Sequence, residues 1–312
     1  IAFFGGLSIL AMAFFVSALI YPTLPNISHL EKYRPKQPLQ IFSKEGILIA
    51  EFGEERRDFI AISDTPQQMI NAILSIEDRR FFEHPGIDFI GITRAAIKNI
   101  LGKSHEGAST ITMQVARNFF LTSEKTFKRK INEILLAIKI ERTLSKEEIL
   151  ELYVNQIYLG QRSFGFAAAA NTYFGKNLDQ LNLGETALLA GLPKAPSRYN
   201  PLVRPNLAIN RQQNVLNSML RHGYIDKPTY IIALEDPLSL KDKFMKSELQ
   251  ANYVAEMVRQ TLFEEFGDKI YTSGLKVFTT IKKKNQLMAN KAVQNGIINY
   301  MARHDLAPPE DF

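Results

Sequence analysis

The N-terminal end of the chain is its most apolar stretch. Residues Ile1 to Ile20 carry no charge and consist mostly of Ile, Leu, Ala, Phe, Val and Gly. About twenty apolar residues are what a helix needs to cross the core of a bilayer. A removable signal peptide has a shorter apolar core that follows a basic segment. We therefore expect residues 1–21 to form an uncleaved transmembrane signal anchor, with a cleaved leader as the alternative.

The next part of the chain contains short apolar runs. Two short apolar runs within residues 39–52 flank a Lys-Glu-Gly turn, which predicts a β-hairpin. A third short strand is expected at Phe59–Ile62. We assign residues 22–65 to a linker that contains this hairpin.

A long region of helical spacing follows the hairpin. Apolar residues recur at intervals of three and four from Pro66 to Tyr224, so residues 66–224 are predicted to be one helical domain broken by Gly and Pro loops. Beyond it, Tyr271–Ile281 alternates and is rich in Val, Phe and Thr, which predicts a strand. We interpret residues 225–312 as an α+β region that begins a second unit. The predicted fold class is mainly α with a small β-hairpin.

Composition and charge narrow the range of chemistry. The chain has 312 residues, 46% of them hydrophobic and 22% charged, which excludes both a disordered chain and a polytopic membrane protein. The formal charge of +6 suits anionic partners such as lipid headgroups or a pyrophosphate, but it selects none of them. Cysteine is absent from the sequence, which excludes thiolate nucleophiles and disulfides. The five histidines show no zinc-ligand spacing.

A carboxylate at the end of an apolar helix face is the first candidate for catalysis. Glu77 follows Ile70, Ile73 and Leu74 and opens the stretch 77–86. Partial burial would raise its pKa, which suits a general base. The alternative is a solvated helix end with a Glu-Arg pair, and from composition alone that alternative is the commoner one.

A stretch of small and hydroxyl residues is the second candidate site. Residues 107–114 lead into a predicted helix that carries Arg117. Backbone N–H groups at such a helix start can hold an anion. The alternative is an ordinary N-cap.

Two cations share a helix face with a carboxylate in the third stretch. Arg129 and Lys130 precede Glu133 by four and three residues. Such a cluster could neutralise a pyrophosphate leaving group. The alternative is a solvated, ion-paired helix face.

Two further stretches favour structural interpretations. Glu151 and Asn155 lie one helical turn apart, which predicts a hydrogen-bonding pair with a structural role. The stretch 190–201 ends a helix with Gly, Leu and Pro before a proline-rich loop. We interpret it as a wall element rather than a reactive centre.

Taken together and in order, these stretches resemble a known family. The chain contains ED-x-x-F-x-x-H-x-G, G-x-S-T-x-T-x-Q, R-K-x-x-E, K-x-x-I-L-E-x-Y-x-N-x-x-x-x-G and A-G-L-P-x-x-P-x-x-Y-x-P within residues 77–201. This order is similar to the glycosyltransferase family 51 domain of class A penicillin-binding proteins. Two departures are visible: Met113 replaces a common Gln, and Phe82 replaces a common Tyr.

The resemblance implies a lysozyme-like, two-lobed helical domain that polymerises lipid II outside the inner membrane. It also implies that residues 225–312 are a linker region leading to a transpeptidase domain that lies outside this sequence. Glu77 matches the family's catalytic base, which would activate the acceptor 4-hydroxyl for a single inverting displacement. Glu133 matches the second catalytic glutamate, at the pyrophosphate. The residues matching substrate and pyrophosphate contacts are Arg80, Ser109, Thr110, Gln114, Arg117, Lys125, Arg129 and Lys130.

The resemblance also implies particular partners. We expect lipid II, the growing lipid-linked glycan and the bacterial membrane as partners, moenomycin as an inhibitor, and an activator or divisome or elongasome protein. No nucleic acid is expected. No built-in cofactor or metal site is expected, although a divalent cation (Mg or Mn) is expected to assist at the pyrophosphate.

Other classes of function remain open at this level. A lysozyme-like lytic enzyme would use one key glutamate but would have no pyrophosphate to neutralise. A non-catalytic, membrane-anchored scaffold would need neither Glu77 nor Glu133. The Ser273-Gly274-Leu275-Lys276 stretch matches the penicillin-reactive Ser-x-x-Lys pattern, but we expect it on a strand rather than at a helix start. The stretch 87–101 is predicted to be a helix that either dips into the outer leaflet or packs in the core.

Overall fold

The computed structural model describes residues 19, 21–30, 33, 35–100, 109–121, 126–240 and 249–304. These residues fall into two compact units. The first unit comprises residues up to 35 together with 57–241, and the second comprises residues 36–56 together with those from 242 onward.

Nine of the described helices belong to the first unit and confirm its predicted helical character. They are α1 (Gln67–Glu77), α2 (Phe89–Ile100), α3 (Ile111–Phe120), α4 (Phe127–Glu141), α5 (Lys146–Gln156), α6 (Phe166–Phe174), α7 (Leu183–Gly191), α8 (Pro205–Arg221) and α9 (Lys227–Glu235). Short 3₁₀ helices lie at Tyr21–Thr23, Ser28–Leu30, Ile62–Asp64, Leu178–Gln180 and Leu192–Lys194.

The helix α7 lies at the centre of the first unit. Its residues from Gly184 to Gly191 are all buried, as expected for a helix that is apolar or small on nearly every side. Both α1 and α8 pack against it. The α1 helix contributes Ile73 and α8 contributes Val215 to the shared core. This packing sets the last residue of α1 beside the middle of α8.

Polar side chains start several of these helices. Thr110 accepts a hydrogen bond from the N–H of Met113 at the start of α3, and Thr126 does the same at the start of α4. Ser145 and Glu148 form a reciprocal capping box on α5. Each cap pairs an N–H group that the first helical turn leaves free.

The predicted strand at Phe59–Ile62 is wrong. Asn155 accepts a hydrogen bond from the N–H of Ile60 at 2.9 Å and donates to its carbonyl at 2.8 Å. Glu151 accepts from the N–H of Ile62 at 2.8 Å. Because these side chains occupy the backbone groups, the segment cannot form a ladder there. The same bonds confirm the structural interpretation of Glu151 and Asn155.

A three-stranded sheet of very short strands lies nearby. It consists of β3 (Arg56–Arg57), β4 (Tyr158–Gly160) and β5 (Ser163–Phe164), in the order β3-β5-β4. The guanidinium of Arg57 stacks 4.4 Å from the ring centroid of Phe164 and donates to Gln156 at 2.7 Å.

The second unit contains the predicted hairpin. Strands β1 (Leu39–Phe42) and β2 (Leu48–Phe52) pair antiparallel, and β6 (Lys276–Phe278) pairs parallel to β1. Helices α10 (Asn252–Phe266) and α11 (Lys283–Arg303) and a 3₁₀ helix at Gly267–Tyr271 complete this unit. Its small core includes Leu39, Ile41, Ile49, Ala255 and Ile270.

The structure bears on two expectations about the organisation of the chain. Lys276 begins a strand, which confirms that its Ser-x-x-Lys stretch does not start a helix. The compact units divide the chain at different places from the segments 22–65, 66–224 and 225–312, because the hairpin pairs with β6 and α9 packs on α8. A hairpin's partner strand can lie far away along the chain, and only the pairing identifies it.

None of the helices among the described residues is both long and apolar enough to cross a membrane. The predicted anchor, residues 1–21, lies outside the described residues except for Leu19 and Tyr21.

Candidate active site

Glu77 is the last residue of α1, and its carboxylate is held by two other helices. Gln114 of α3 donates from Nε2 to Oε2 of Glu77 at 2.8 Å. Nη2 of Arg211, on α8, lies 3.6 Å from the other oxygen, Oε1. The Glu77 side chain is only 12% exposed. The alternative of a solvated helix end is therefore wrong, because the packing of α1 against α7 and α8 encloses this position.

Burial shapes the acidity of Glu77. Burial raises the pKa of its carboxyl above the usual value, because the charged form loses its hydration. The hydrogen bond from Gln114 and the positive charges of Arg211, Arg117 and Lys194 act in the opposite direction without cancelling the rise. A carboxylate with a raised pKa holds an abstracted proton more firmly, which suits a general base.

A buried network behind Glu77 fixes the start of α3. The next residue, Asp78, accepts from the N–H of Ile111 at 3.0 Å. Its two carboxylate oxygens both lie 3.0 Å from Nε2 of His84. Thr110 donates its hydroxyl to the carbonyl of Gly86 at 2.7 Å. The first and second motifs are therefore interlocked, so that α3 presents Gln114 to Glu77.

This network also bears on the proposed anion site at the start of α3. The N–H groups of Ile111 and Met113 are bonded to Asp78 and to Thr110, respectively. The Thr110 hydroxyl both donates and accepts within the protein. The N-cap interpretation is confirmed, and these groups are not available to an anion. Direct contact of Thr110 with substrate stays a prediction.

The cationic cluster of the third motif forms a compact unit. Glu133 is 1% exposed and accepts from Nη1 of Arg129 at 2.8 Å and from Nζ of Lys130 at 2.7 Å. Lys130 also donates to the hydroxyl of Ser109 at 3.0 Å. The side chains of Arg129 and Lys130 remain 18% and 41% exposed. The cluster therefore presents positive charge to solvent over a buried carboxylate, and the alternative of a fully solvated face is wrong for Glu133.

The start of α3 connects the two centres. Ser109 contacts the cationic cluster, and Gln114 contacts Glu77. With a rise of about 1.5 Å per helical residue and about 3.3 Å per extended one, these two positions lie roughly 9 Å apart along the chain. The start of α3 therefore contacts both the base and the cationic cluster.

The three remaining predicted site residues differ from one another. Arg80 pairs with Asp88 at 2.6 Å and lies 3.7 Å from Glu83, so its guanidinium faces these two carboxylates. Arg117 is half-buried and close enough to Glu77 to act on its charge. Lys125 lies outside the described residues.

The sequence analysis missed three residues close to Glu77. Arg211 is buried on α8, the exposed Lys194 lies in the 3₁₀ helix after α7, and Tyr153 is fully buried on α5. Arg211 could have been found, because it interrupts the apolar stripe of Ala208 and Val215 on α8. A charged residue on a buried helix face needs a buried partner.

The described residues do not form a protein-held metal site. Among them, His, Asp and Glu do not cluster in threes. Glu133 is the carboxylate at the cationic cluster, and both its oxygens already accept from Arg129 and Lys130. A cation there would displace these partners, so the residues present do not fit the expected Mg or Mn, and no catalytic step is assigned to one.

Comparison with known proteins identifies the class of this protein. Residues 45–220 match the Transglycosylase family, which is more than half of the chain. The chain belongs to that family. The match confirms the resemblance predicted from the five motifs.

The chain is also similar to three longer proteins of one kind. Penicillin-binding protein 1A of Neisseria meningitidis serogroup A is 49% identical over 95% of this chain, and that of Pseudomonas aeruginosa is 48% identical over 95%. The crystal structure of penicillin-binding protein 1A from Haemophilus influenzae matches 87% of the chain with 37% identity and a TM-score of 0.50. The chain spans 37% and 36% of the length of the two curated relatives and 31% of the crystallised chain.

Proposed function

We propose that this chain is a peptidoglycan glycosyltransferase that polymerises lipid II into β-1,4 glycan strands and releases undecaprenyl diphosphate. The observation that carries the proposal is the buried carboxylate of Glu77, which Gln114 and Arg211 hold. Membership of the transglycosylase family supports it. We infer a lysozyme-like arrangement of the helical unit from the same resemblance.

Glu77 acts as the general base. Its carboxylate takes the proton from the 4-hydroxyl of the acceptor GlcNAc while that oxygen bonds to C1 of the donor MurNAc. The bond from C1 to the pyrophosphate oxygen breaks, and its electron pair leaves with the undecaprenyl diphosphate. A single displacement inverts the α linkage to β, by the logic that inverting glycosidases apply to water.

The cationic cluster receives the leaving group. Negative charge develops on the pyrophosphate as its bond to C1 breaks. Exposed cations that are held in fixed positions stabilise that charge. Arg129 and Lys130 present such cations, and the buried Glu133 holds both in place.

The membrane is the source of both substrates in this proposal. Phe89 and Ile90, at the start of α2, are 67% and 62% exposed. Exposed apolar side chains at one helix end suit contact with an outer leaflet. We propose a single-pass inner-membrane protein with its catalytic unit in the periplasm. The longer protein would be bifunctional, with a penicillin-sensitive DD-transpeptidase. Moenomycin and an activator or divisome or elongasome protein would be partners.

The cationic cluster favours synthesis over the two rival functions. A lytic enzyme releases no pyrophosphate, so Arg129 and Lys130 would have nothing to neutralise. A scaffold would gain nothing from a buried carboxylate with a raised pKa, because burying such a group costs stability. A lytic enzyme, which releases fragments, and a scaffold, which gives neither polymer nor fragments, are both outcomes of the experiment below.

The test is polymerisation of labelled lipid II by the detergent-solubilised protein. The parent should form glycan polymer that moenomycin blocks, and Glu77→Gln should lose roughly 10²–10⁴-fold in rate. Glu147→Gln, an exposed carboxylate on α5, is the matched control and should retain activity. Release of fragments from purified sacculi, without polymer, would identify a lytic enzyme. Unchanged polymerisation by Glu77→Gln would contradict the assignment of the base.

A further inference from the structure

The Glu77 carboxylate is held from two sides by unlike partners. Its Oε2 accepts a 2.8 Å hydrogen bond from the neutral amide of Gln114. Its Oε1 faces the guanidinium of Arg211 at 3.6 Å, which is an ion pair beyond hydrogen-bonding distance. One oxygen is therefore committed to a partner, while the other is oriented by charge and can still accept a proton.

Arg211 is itself fixed by the end of α7. Its Nε donates to the carbonyl of Gly191 at 3.0 Å. A Cβ at Gly191 would come within 2.8 Å of Cγ of Arg211, so the glycine leaves the space through which this side chain passes. The Ala-Gly-Leu-Pro stretch, interpreted above as a wall element, thereby supports the side chain that faces the base.

The other charged and titratable groups near Glu77 differ from Arg211 in placement. Arg117 on α3 is half-buried, and Lys194 after α7 is exposed. Tyr153 on α5 is fully buried, and its hydroxyl has no hydrogen-bond partner among the described residues. Of these groups, Arg211 is the one that is both buried and within ion-pair distance of the carboxylate.

We propose that Arg211 is the positioning residue for the general base: held by Gly191, it orients the free oxygen of Glu77 and keeps that carboxylate ionised. The proposal deepens the proposed function and rests on it for the identity of the reaction. A guanidinium stays charged at every pH at which the enzyme works, so its effect on Glu77 is constant. Lys194, the exposed cation near Glu77, can instead contact substrate phosphates.

The first arm of the test measures Glu77 without any reaction. The carboxyl carbon of ¹³Cδ-labelled glutamate is titrated by NMR in the full chain, and Glu77→Gln identifies the signal. An opposite charge at this range lowers a carboxyl pKa by about 1–3 units. In Arg211→Gln the titration midpoint should therefore rise by at least about 1 pH unit. Arg211→Lys should return it towards the parent value, and Arg221→Gln, an exposed residue on the same helix, should leave it unchanged.

The second arm measures polymerisation of lipid II against pH. In Arg211→Gln, kcat should fall roughly 10- to 100-fold, as expected for a displaced catalytic group, with little change in KM. The acidic limb of the pH profile should move to higher pH, and Arg211→Lys should move it back. If Arg211→Gln does not fold, as judged by circular dichroism, Gly191→Ala keeps the charge but displaces the side chain, and it should lower kcat.

Each outcome decides between positioning and another role. The proposal would be overturned if Arg211→Gln left the titration midpoint of Glu77 unchanged. It would also be overturned if Arg211→Gln raised KM without lowering kcat, which would indicate a role in substrate binding. Equal pH profiles for the Gln and Lys variants would mean that Arg211 only supports the fold. A parent that makes no polymer, combined with a shifted midpoint, would refute the glycosyltransferase assignment but not the action of Arg211 on Glu77.

Discussion

The ion pair between Arg129 and Glu133 gives a prediction that can be worked from the structure. Glu133 is 1% exposed, and its carboxylate accepts from Nη1 of Arg129 at 2.8 Å. Replacing Glu133 by Gln removes the buried negative charge that pairs with Arg129 and Lys130. Breaking a buried pair from one side costs about 3–5 kcal/mol. Because the Arg129 side chain keeps 18% exposure to water, we expect Glu133→Gln to lower the free energy of unfolding by about 2–3 kcal/mol.

A double-mutant cycle isolates the pair. Arg129→Met, Glu133→Gln and the double variant are unfolded by urea and by heat. Hydrogen bonds to charged groups predict a coupling energy of about 1.5–3 kcal/mol. For a unit of this size a loss of 2–3 kcal/mol should lower Tm by about 5–10 °C. Arg80 and Glu83, which are 3.7 Å apart with Glu83 exposed, form the control pair and should couple by less than about 0.5 kcal/mol.

The same cycle tests the functional interpretation. The cluster is proposed to stabilise charge that appears only as the pyrophosphate leaves, so Glu133→Gln should lower kcat more than it raises KM for lipid II. A coupling energy below 0.5 kcal/mol would refute the reasoning, because the carboxylate would then not hold Arg129. A loss of stability with unchanged kcat would restrict Glu133 to a structural role.

Three further predictions follow from buried contacts. Asp78→Ala should destabilise the protein by about 2–4 kcal/mol in urea unfolding, because it leaves His84 and the first N–H of α3 without a buried partner. Gly86→Ala should cost about 2–4 kcal/mol, since Gly86 has φ +89° and a Cβ would meet α4 at 2.9 Å. Burial raises the folded-state pKa of Glu77 above the ordinary glutamate value of 4.5. The folded state therefore loses stability as the pH rises and the buried carboxyl gives up its proton. The parent should therefore lose stability relative to Glu77→Gln as the pH rises above 4.5.

Each of these has a control or a contrary result. Gly223 has φ +74° with open space around it, so Gly223→Ala should cost only about 1–2 kcal/mol; equal costs at both glycines would contradict the steric argument. Asp78→Ala with parental stability would show that the network behind the base is not formed. A pH-independent stability difference between the parent and Glu77→Gln would mean that Glu77 is not buried.

Local patterns along the chain carried most of the fold. Apolar spacing predicted the helical unit because a helix must bury one face, and that requirement is written into three- and four-residue intervals. The hairpin was predicted by two short apolar runs on either side of a turn. The strand at Phe59–Ile62 failed for a tertiary reason: Asn155, about ninety residues away, takes its backbone hydrogen bonds.

The candidate site was predicted in part from the sequence. Glu77 was named from the end of an apolar helix face, and Arg129, Lys130 and Glu133 from their spacing on one helix, whereas Gln114 was named from the family resemblance. The cluster of Arg129, Lys130 and Glu133 is set by spacing on a single helix, so it needed no tertiary information.

The sequence by itself determined that this chain is a mainly helical transglycosylase with a carboxylate at the end of one helix and two cations on another. Only the tertiary structure decided that Glu77 is buried, since that depends on the crossing of α1, α7 and α8. It also decided that Arg211 is the partner of Glu77, although more than 130 residues separate them. Charge and burial are properties of three-dimensional neighbours, and no spacing along one helix records a neighbour on another.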